Sequence, residues 1–286
     1  MNPPSAPIAW LNGRLVPLAD ASIPVTDRAL LYGDSVFETV PIRNGVPVQW
    51  PAHLDRLGRG QEITGIASGL SPDQWTEALA NLLQSNTAIH GTVRLTVTRG
   101  SGPRGYSPRG AHSPNRILTW HPSDPPIAPH AGWHLRTSRF RVVADDPLAP
   151  TKHGSRLIQV LARAEAEATG ADEALLLNTR GEVAETSTGN LFWIRGETVG
   201  TPPRDSGALA GITARVIERA VRAHRWPFQT ETLTPDALAG SDGLFVSLST
   251  TGIVPVLSLD GVTVPAHPWI QILAREFLEG MDLVPL

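Results

Sequence analysis

Hydrophobic positions in the first 120 residues come in short runs separated by turn-forming residues, a pattern typical of β-strands. Two predicted hairpins have this form: residues 8–11 with 14–16 around Asn12-Gly13, and residues 36–42 with 46–50 around Asn44-Gly45. Asn-Gly tolerates the positive φ angles of a tight hairpin turn. Two more strands are predicted at residues 92–99 and 116–120. Helices are predicted over about residues 51–63 and from the proline-containing N-cap sequence Ser71-Pro72-Asp73.

The second half of the chain mixes strands and helices. The pattern predicts strands at residues 133–141, 173–177, 190–194, 244–246 and 253–259, and helices at residues 156–169, 212–224 and 268–281. Between the halves, residues 121–132 contain four prolines and form a stiff connector. We therefore predict an α/β fold with mixed sheets in two domains: an N-terminal α/β domain (1–121), a proline-rich linker (122–132) and a C-terminal domain (133–286).

Composition narrows the functional classes. The 286 residues are 41% hydrophobic and 18% charged, which is ordinary for a globular protein. A net charge of −3 gives no basic surface for nucleic acid, and without cysteine there is no thiolate nucleophile or disulfide. The nine histidines have no paired metal-binding spacing, so no metal is expected. Neither a signal peptide nor a membrane span is recognised, which predicts a cytoplasmic protein with no membrane partner.

Candidate chemistry centres on Lys152 and on Glu185, 33 residues later. An amine and a carboxylate suit the two ends of an aromatic aldehyde with a ring nitrogen, as in pyridoxal phosphate. Gly211-Ile212-Thr213 opens a predicted helix, where backbone N–H groups favour an anion, although an ordinary helix start has the same sequence. Arg56 lies on a predicted helix and is compatible either with a phosphate contact or with a surface ion pair.

These residues are part of a set of motifs that resembles the class IV, fold-type IV pyridoxal phosphate enzymes. That family contains branched-chain aminotransferases, D-amino acid aminotransferases and 4-amino-4-deoxychorismate lyases. The motifs occur in family order: residues 27–39, residues 53–57, Lys152, residues 185–192, residues 211–213, and Ser249 with Thr250. The resemblance implies a D-amino acid aminotransferase-like fold of two domains with the active site between them, and a homodimer.

The resemblance also implies roles for individual residues. Lys152 would be the Schiff-base lysine and the general acid or base, and Glu185 would pair with the pyridine nitrogen. The phosphate would be held by the following residues: Arg56, the backbone N–H groups of Ile212 and Thr213, Ser249, and Thr250 beside them. Two positions depart from the family pattern, since Ala214 stands where arginine is common and Ser249 where threonine is common.

Several local sequences favour the lyase branch. Residues 98–106 resemble its arginine–glycine loop, and residues 252–256 resemble its Gly-Ile-x-Pro-Val segment. Leu157 stands where branched-chain enzymes usually have tyrosine, whereas residues 249–251 resemble the D-amino acid aminotransferases. The expected substrate is a small amino compound with a carboxylate, and the residues expected to contact it are Phe37, Arg104 and Tyr106. The predicted reaction converts 4-amino-4-deoxychorismate to 4-aminobenzoate and pyruvate in folate biosynthesis, with a class IV aminotransferase as the alternative.

Overall fold

The computed structural model describes residues 6–280 and residue 283. The chain divides into two compact units. The first contains the chain up to Pro125 together with Thr151–Ser155, and the second contains Pro126–Pro150 and the chain from Arg156 onward. The division between Pro125 and Pro126 lies within the stretch of the predicted linker. Lys152, however, belongs to the first unit, whereas the sequence placed it in the C-terminal domain.

The first unit is built on one six-stranded antiparallel sheet with the order β2-β1-β6-β5-β3-β4. Its strands are β1 (Ile8–Leu11), β2 (Arg14–Pro17), β3 (Ser35–Arg43), β4 (Val46–Pro47), β5 (Gly91–Thr98) and β6 (Arg116–Pro122). Both predicted Asn-Gly turns are present, with Asn12 and Asn44 at positive φ. The second hairpin is shorter than predicted, because Gln49 also takes a positive φ and Trp50 already begins a helix.

Three helices accompany this sheet: α1 (Arg28–Tyr32), α2 (Trp50–Thr64) and α3 (Pro72–Ser85). Ser71 caps α3 through the reciprocal bonds of a capping box with Gln74, which is the predicted N-terminus. The buried positions of α3 recur at helical spacing and join the core of the sheet; they are Trp75, Ala78, Leu79, Leu82 and Leu83. Each large side chain buried in this way contributes about 1.5–3 kcal/mol to folding.

The second unit contains a nine-stranded mixed sheet with the order β12-β11-β10-β13-β14-β7-β8-β9, in which β15 pairs with β14. Its strands are β7 (Trp133–Val142), β8 (Glu173–Asn178), β9 (Val183–Thr186), β10 (Asn190–Arg195), β11 (Thr198–Thr201), β12 (Phe228–Thr230), β13 (Gly243–Leu248), β14 (Gly252–Leu259) and β15 (Val262–Thr263). The pairs β11–β12, β14–β7 and β7–β8 are parallel and the others antiparallel. The predicted mixed α/β class is confirmed.

The helices of the second unit are α4 (Leu157–Ala168), α5 (Ile212–Ala223), α6 (Pro235–Ala239) and α7 (Pro268–Leu278). Two single-turn 3-10 helices, Leu18–Asp20 and Arg204–Ser206, complete the elements of the chain's described part. Phe192 and Phe245 stack with ring centroids 4.9 Å apart in a core that α5 and α7 cover. The predicted end of the last helix at Met281 lies outside the described residues. No helix in the described ranges is long and apolar enough to cross a membrane.

Candidate active site

Lys152 lies in a short segment that is hydrogen-bonded to the start of β3. Its carbonyl oxygen accepts the N–H of Phe37 at 2.8 Å, and Gly154 N–H donates to the carbonyl of Ser35 at 2.8 Å. Glycine is favoured at 154, because a Cβ there would lie 2.9 Å from the backbone carbonyl oxygen of Gly33 and 2.2 Å from Ser35 Oγ. The Lys152 Nζ lies 4.9 Å from the centre of the Phe37 ring. Two of the predicted site residues, Lys152 and Phe37, are thus adjacent.

Lys152 has a further property that the sequence interpretation did not use, since it is the single lysine of the chain. The other 23 of the 24 basic residues counted as Lys or Arg are arginines. Arginine serves ion pairs at least as well as lysine, but its guanidinium does not deprotonate in proteins and cannot act as an amine nucleophile. Lys152 is therefore the one side chain of the sequence that can supply a primary amine.

Arg94, on β5, is a second cation on the Phe37 ring and was not predicted. Its guanidinium carbon lies 3.8 Å from the ring centre, a cation–π geometry that holds its plane over the aromatic face. Within the described part of the chain, no carboxylate pairs with Arg94. A charged residue in the middle of a strand with buried neighbours on both sides was the available sequence signal.

Arg56 is buried rather than exposed, and it forms an ion pair with Glu38. Arg56 Nε donates to Glu38 Oε1 at 2.7 Å, and Arg56 Nη2 donates to Glu38 Oε2 at 2.6 Å. His53 Nδ1 contacts the same Oε2 at 2.7 Å. Glu38 and His53 are 1% exposed and Arg56 is 5% exposed. We refer to Glu38, His53 and Arg56 as the β3–α2 triad; the sequence interpretation singled out only Arg56.

Two members of the β3–α2 triad, Glu38 and His53, have lowered pKa values. Burial opposes ionisation of Glu38, but the Arg56 charge and the hydrogen bonds from Arg56 and His53 outweigh it and lower the pKa of Glu38 to about 2. The pKa of His53 is lowered, chiefly by burial and also by the charges of Arg56 and Lys152, although Glu38 opposes the change. At neutral pH the triad is therefore a carboxylate, a guanidinium and a neutral imidazole that donates from Nδ1.

We expect the free energy of unfolding to decrease as the pH falls below about 6.5. The unfolded chain binds protons on His53 and Glu38 near their ordinary pKa values of 6.5 and 4.5, whereas both folded values are lower. For Glu38 alone, the shift from 4.5 to about 2 corresponds to roughly 3 kcal/mol of stability that is lost between about pH 5 and pH 2. Urea unfolding at several pH values measures this slope. It should be shallower in Glu38→Gln, and an unchanged slope would contradict the assignment.

Arg104 and Tyr106 lie in the loop between β5 and β6, and both side chains are exposed; Tyr106 is 88% exposed. The loop backbone is nevertheless fixed. Arg28, which is buried, donates to the carbonyl oxygens of Gly105 at 2.9 Å, Tyr106 at 3.1 Å and Ser107 at 3.2 Å. Asp34 orients Arg28 through a 2.8 Å ion pair. The position of the predicted substrate loop therefore depends on Arg28, which the sequence interpretation did not single out.

In the second unit, Glu185 lies on β9, a strand that the sequence pattern did not predict. Its side chain is 6% exposed, and its Oε2 accepts the N–H of Leu209 at 2.9 Å. The carbonyl oxygen of Leu209 accepts from Asn190 Nδ2 at 2.8 Å, so the residue whose N–H binds Glu185 is held by a second bond. The strand was missed because its four buried residues, Val183–Thr186, include a glutamate and show no alternation.

The residues of the predicted anion site lie at the start of α5, also in the second unit. Gly211 is the N-cap residue and supplies no side-chain cap to the first turn. Thr213 Oγ1 lies 3.1 Å from Ser249 Oγ, so the first turn of α5 and the β13–β14 turn present their hydroxyls together. Thr250 lies in the same turn and is exposed. Backbone N–H groups at a helix start combined with two hydroxyls suit a phosphate monoester.

These donor groups fit the chemistry of pyridoxal phosphate. The first unit offers a primary amine beside an aromatic ring and a buried arginine, and the second offers an oriented carboxylate and a phosphate-type cradle. Taken unit by unit, these groups are of the kinds that bind an aromatic aldehyde, a ring nitrogen and a phosphate.

Gly211→Ala is expected to destabilise the second unit and to weaken phosphate binding. An added Cβ would lie 1.9 Å from Asn190 Oδ1, and Asn190 cannot move without losing its bond to Leu209. Overpacking of this kind typically costs about 1–3 kcal/mol. Gly240→Ala is the matched control, because its Cβ would meet nothing closer than Ala237 O at 3.7 Å and its φ is −83°. Urea unfolding that finds the two variants equally stable would contradict the predicted clash.

Comparison with known proteins identifies the family of the chain. The family model for amino-transferase class IV matches residues 35–259. The aminodeoxychorismate lyase of Vibrio harveyi is 30% identical over 271 residues, which cover 90% of this chain and 92% of that protein. The branched-chain-amino-acid aminotransferase of Escherichia coli strain K12 is 28% identical over 273 residues, covering 92% of this chain and 88% of that protein.

Among solved structures, the 4-amino-4-deoxychorismate lyase from Pseudomonas aeruginosa superposes with a TM-score of 0.84 at 32% identity. The match covers 96% of this chain and 99% of that one. The similarity therefore extends over nearly the whole length of the chain, and the family model spans every predicted site residue. The chain belongs to the class IV aminotransferase family.

Proposed function

We propose that the chain is a pyridoxal 5'-phosphate enzyme that converts 4-amino-4-deoxychorismate to 4-aminobenzoate and pyruvate, a step of folate biosynthesis. The observation that carries the cofactor assignment is the single lysine of the chain, held against Phe37 in the predicted motif. Arg56, Ile212, Thr213, Ser249 and Thr250 are assigned to the cofactor phosphate, and Glu185 to the ring nitrogen. The functional unit is proposed to be a homodimer.

The substrate assignment is supported by the charges of the first unit. 4-Amino-4-deoxychorismate carries two carboxylates. Arg94 and Arg104 both lack a carboxylate partner within the described ranges, and Arg94 lies on the same aromatic ring as Lys152. Charge-assisted bonds from two arginines would orient the substrate with its amine toward Lys152. The lyase-like loop of residues 98–106 and the placement of Leu157 support the same branch.

Pyridoxal phosphate, when bound, supplies an electron sink for the charge that develops on the substrate carbon bearing nitrogen. Lys152 would hold the aldehyde end of the cofactor through its Nζ. Once the substrate amine has taken its place there, the same Nζ would act as the base that removes the proton from the substrate carbon bearing nitrogen. The bond between the ring carbon and the ether oxygen breaks, so the oxygen leaves with the three-carbon unit as enolpyruvate. Enolpyruvate takes up one proton on its CH₂ carbon to become pyruvate, which balances the proton removed from the ring. The remaining ring becomes aromatic, so the elimination proceeds without a second substrate. Proton transfer by a positioned base contributes roughly 10²–10⁴-fold.

An aminotransferase is the second candidate, and the 28% identical Escherichia coli relative favours it. In that reaction Lys152 would return the proton to the cofactor's aldehyde carbon instead of promoting loss of an ether oxygen. Leu157, which is 67% exposed at the start of α4, stands in place of the tyrosine usual in branched-chain enzymes. This position therefore disfavours branched-chain amino acids as the substrates. Residues 249–251 make D-amino acids the other class of aminotransferase substrate to test.

Two assays on the purified chain separate the candidates. We expect pyruvate and 4-aminobenzoate in equal amounts from 4-amino-4-deoxychorismate. With D-alanine or leucine and 2-oxoglutarate, we expect little glutamate. Glutamate formation without pyruvate release from 4-amino-4-deoxychorismate would assign the aminotransferase reaction, whereas a colourless protein that takes up no pyridoxal phosphate would overturn both.

A further inference from the structure

Glu38 lies near the middle of β3, where two side chains from α2 converge on its carboxylate. Arg56 approaches with two bonds, of 2.7 Å to Oε1 and 2.6 Å to Oε2, and His53 adds a third of 2.7 Å to Oε2. Two parallel bonds to one carboxylate fix both the position of a guanidinium and the orientation of its plane. The third bond fixes the carboxylate in turn. The β3–α2 triad therefore allows Arg56 a single orientation.

Burial makes this arrangement rigid. All three side chains are at most 5% exposed, so water cannot readily replace any of the three bonds. Neutral His53 can donate only from the nitrogen that carries its proton, and the contact with Glu38 assigns that proton to Nδ1. An arginine on a solvated surface would instead sample many rotamers and would lose that freedom when it bound an anion.

The charge of Glu38 argues against a purely electrostatic role. A guanidinium has five N–H donors, of which Glu38 takes two on the Nε–Nη2 edge. A carboxylate held near a phosphate repels it, so a chain selected only for positive potential would not place an ionised glutamate beside Arg56. The benefit that offsets this repulsion is orientation, because an arginine held in place binds an anion without further ordering.

We propose that Glu38 is a positioning residue for the cofactor phosphate: it holds the Arg56 guanidinium in the plane that receives a phosphate monoester, and His53 secures Glu38. The inference rests on the proposed phosphate contact of Arg56. It predicts that removing the negative charge of Glu38 weakens phosphate binding, whereas a purely electrostatic arrangement predicts that the same change strengthens it. The sign of the effect decides between the two.

The test compares two aldehydes on the full-length apoprotein: pyridoxal 5'-phosphate, and pyridoxal, which lacks the phosphate. Both can react with Lys152, so the ratio of their dissociation constants isolates the contribution of the phosphate. We expect Glu38→Gln to reduce the preference for pyridoxal 5'-phosphate about tenfold, the effect of losing one charge-assisted bond. Pyridoxal itself should bind within about twofold of the wild type. Absorbance titration measures both constants without any assay of activity.

Two further variants make the result specific. In an Arg56→Met background, Glu38→Gln should change the preference no further, because Glu38 acts through Arg56. Asp27→Asn is the matched control, since Asp27 is also a fully buried carboxylate of the first unit but binds Ala29, Thr98 and Asn115 instead of an arginine. It should leave the preference unchanged. Glu38→Asp keeps the charge but is too short to span both partners, and it replaces Glu38→Gln if that variant does not fold.

The outcomes are distinguishable. If the wild type takes up neither aldehyde on Lys152, the proposed function fails together with this inference. If the wild type binds pyridoxal 5'-phosphate and Arg56→Met loses the phosphate preference, but Glu38→Gln keeps or increases it, the positioning role alone is overturned. If both aldehydes weaken equally in Glu38→Gln, Glu38 supports the fold and does not position Arg56, which also overturns the inference.

Discussion

Replacement of Lys152 by alanine is expected to lower kcat/KM by at least about 10⁴-fold. The change removes both the amine that anchors the cofactor aldehyde and the base that transfers the substrate proton, and the base alone is worth roughly 10²–10⁴-fold. The measurement is kcat/KM with 4-amino-4-deoxychorismate, together with mass spectrometry of the protein after borohydride reduction. With one lysine in the chain, a reduced adduct on a lysine side chain can form only at Lys152.

A second substitution at position 152 is the matched control for this experiment. Lys152→Arg keeps the positive charge and the contact with the Phe37 ring but removes the nucleophilic amine. We expect it to be as inactive as Lys152→Ala and to give no reduced adduct at position 152. If Lys152→Arg retains more than about a tenth of the wild-type kcat/KM, the positive charge rather than the amine is what the reaction needs, and the proposed mechanism is wrong.

Much of the fold follows from local sequence, because its signals act over a few residues. The Asn12-Gly13 turn needs only two residues that accept positive φ, and the Ser71 cap needs only Gln74 three positions later. The alanine-rich helix α4 ends one residue before Thr169, close to the predicted end. In each of these elements, the interactions that select the conformation lie within the element itself.

The parts that were missed depend on partners distant in sequence. Lys152 belongs to the first unit because its segment pairs with Phe37 and Ser35, more than 100 residues earlier, and no local pattern records such a pairing. Strand β9 is short and buried on both faces, so it has neither the alternation of a half-exposed strand nor the length of a helix.

The residues of the candidate site also differ in how far the sequence predicts them. Family motifs identified Arg56 as a candidate. Taken alone, however, an arginine on a helix suggests a solvated side chain. The burial of Arg56 depends on its ion pair with Glu38, which lies on strand β3. Arg94 was missed because its partner is an aromatic face rather than a charge. That Lys152 is the single lysine, by contrast, can be seen in the sequence once lysines and arginines are counted separately.

Glu185→Gln is expected to lower kcat by about 10²–10³-fold while leaving cofactor binding within a few-fold of the wild type. The substitution keeps an oxygen that can accept from Leu209 N–H, which lies 2.9 Å from Glu185 Oε2, so the side chain should retain its position. The substitution removes the negative charge that is proposed to stabilise a protonated ring nitrogen. A group that stabilises the charge developing in a transition state contributes a few kcal/mol. The measurements are kcat with 4-amino-4-deoxychorismate and the dissociation constant of pyridoxal 5'-phosphate.

Glu182→Gln is the matched control, because Glu182 lies three residues before Glu185 and pairs with Asn178 and Arg180 instead. Its kcat should stay within about twofold of the wild type. A Glu185→Gln enzyme with kcat within about threefold of the wild type would show that this carboxylate does not act on the ring nitrogen. A large loss of cofactor binding with normal kcat at saturating cofactor would instead make Glu185 a residue that only binds the cofactor. Stabilisation of a protonated ring nitrogen by Glu185 would then be excluded.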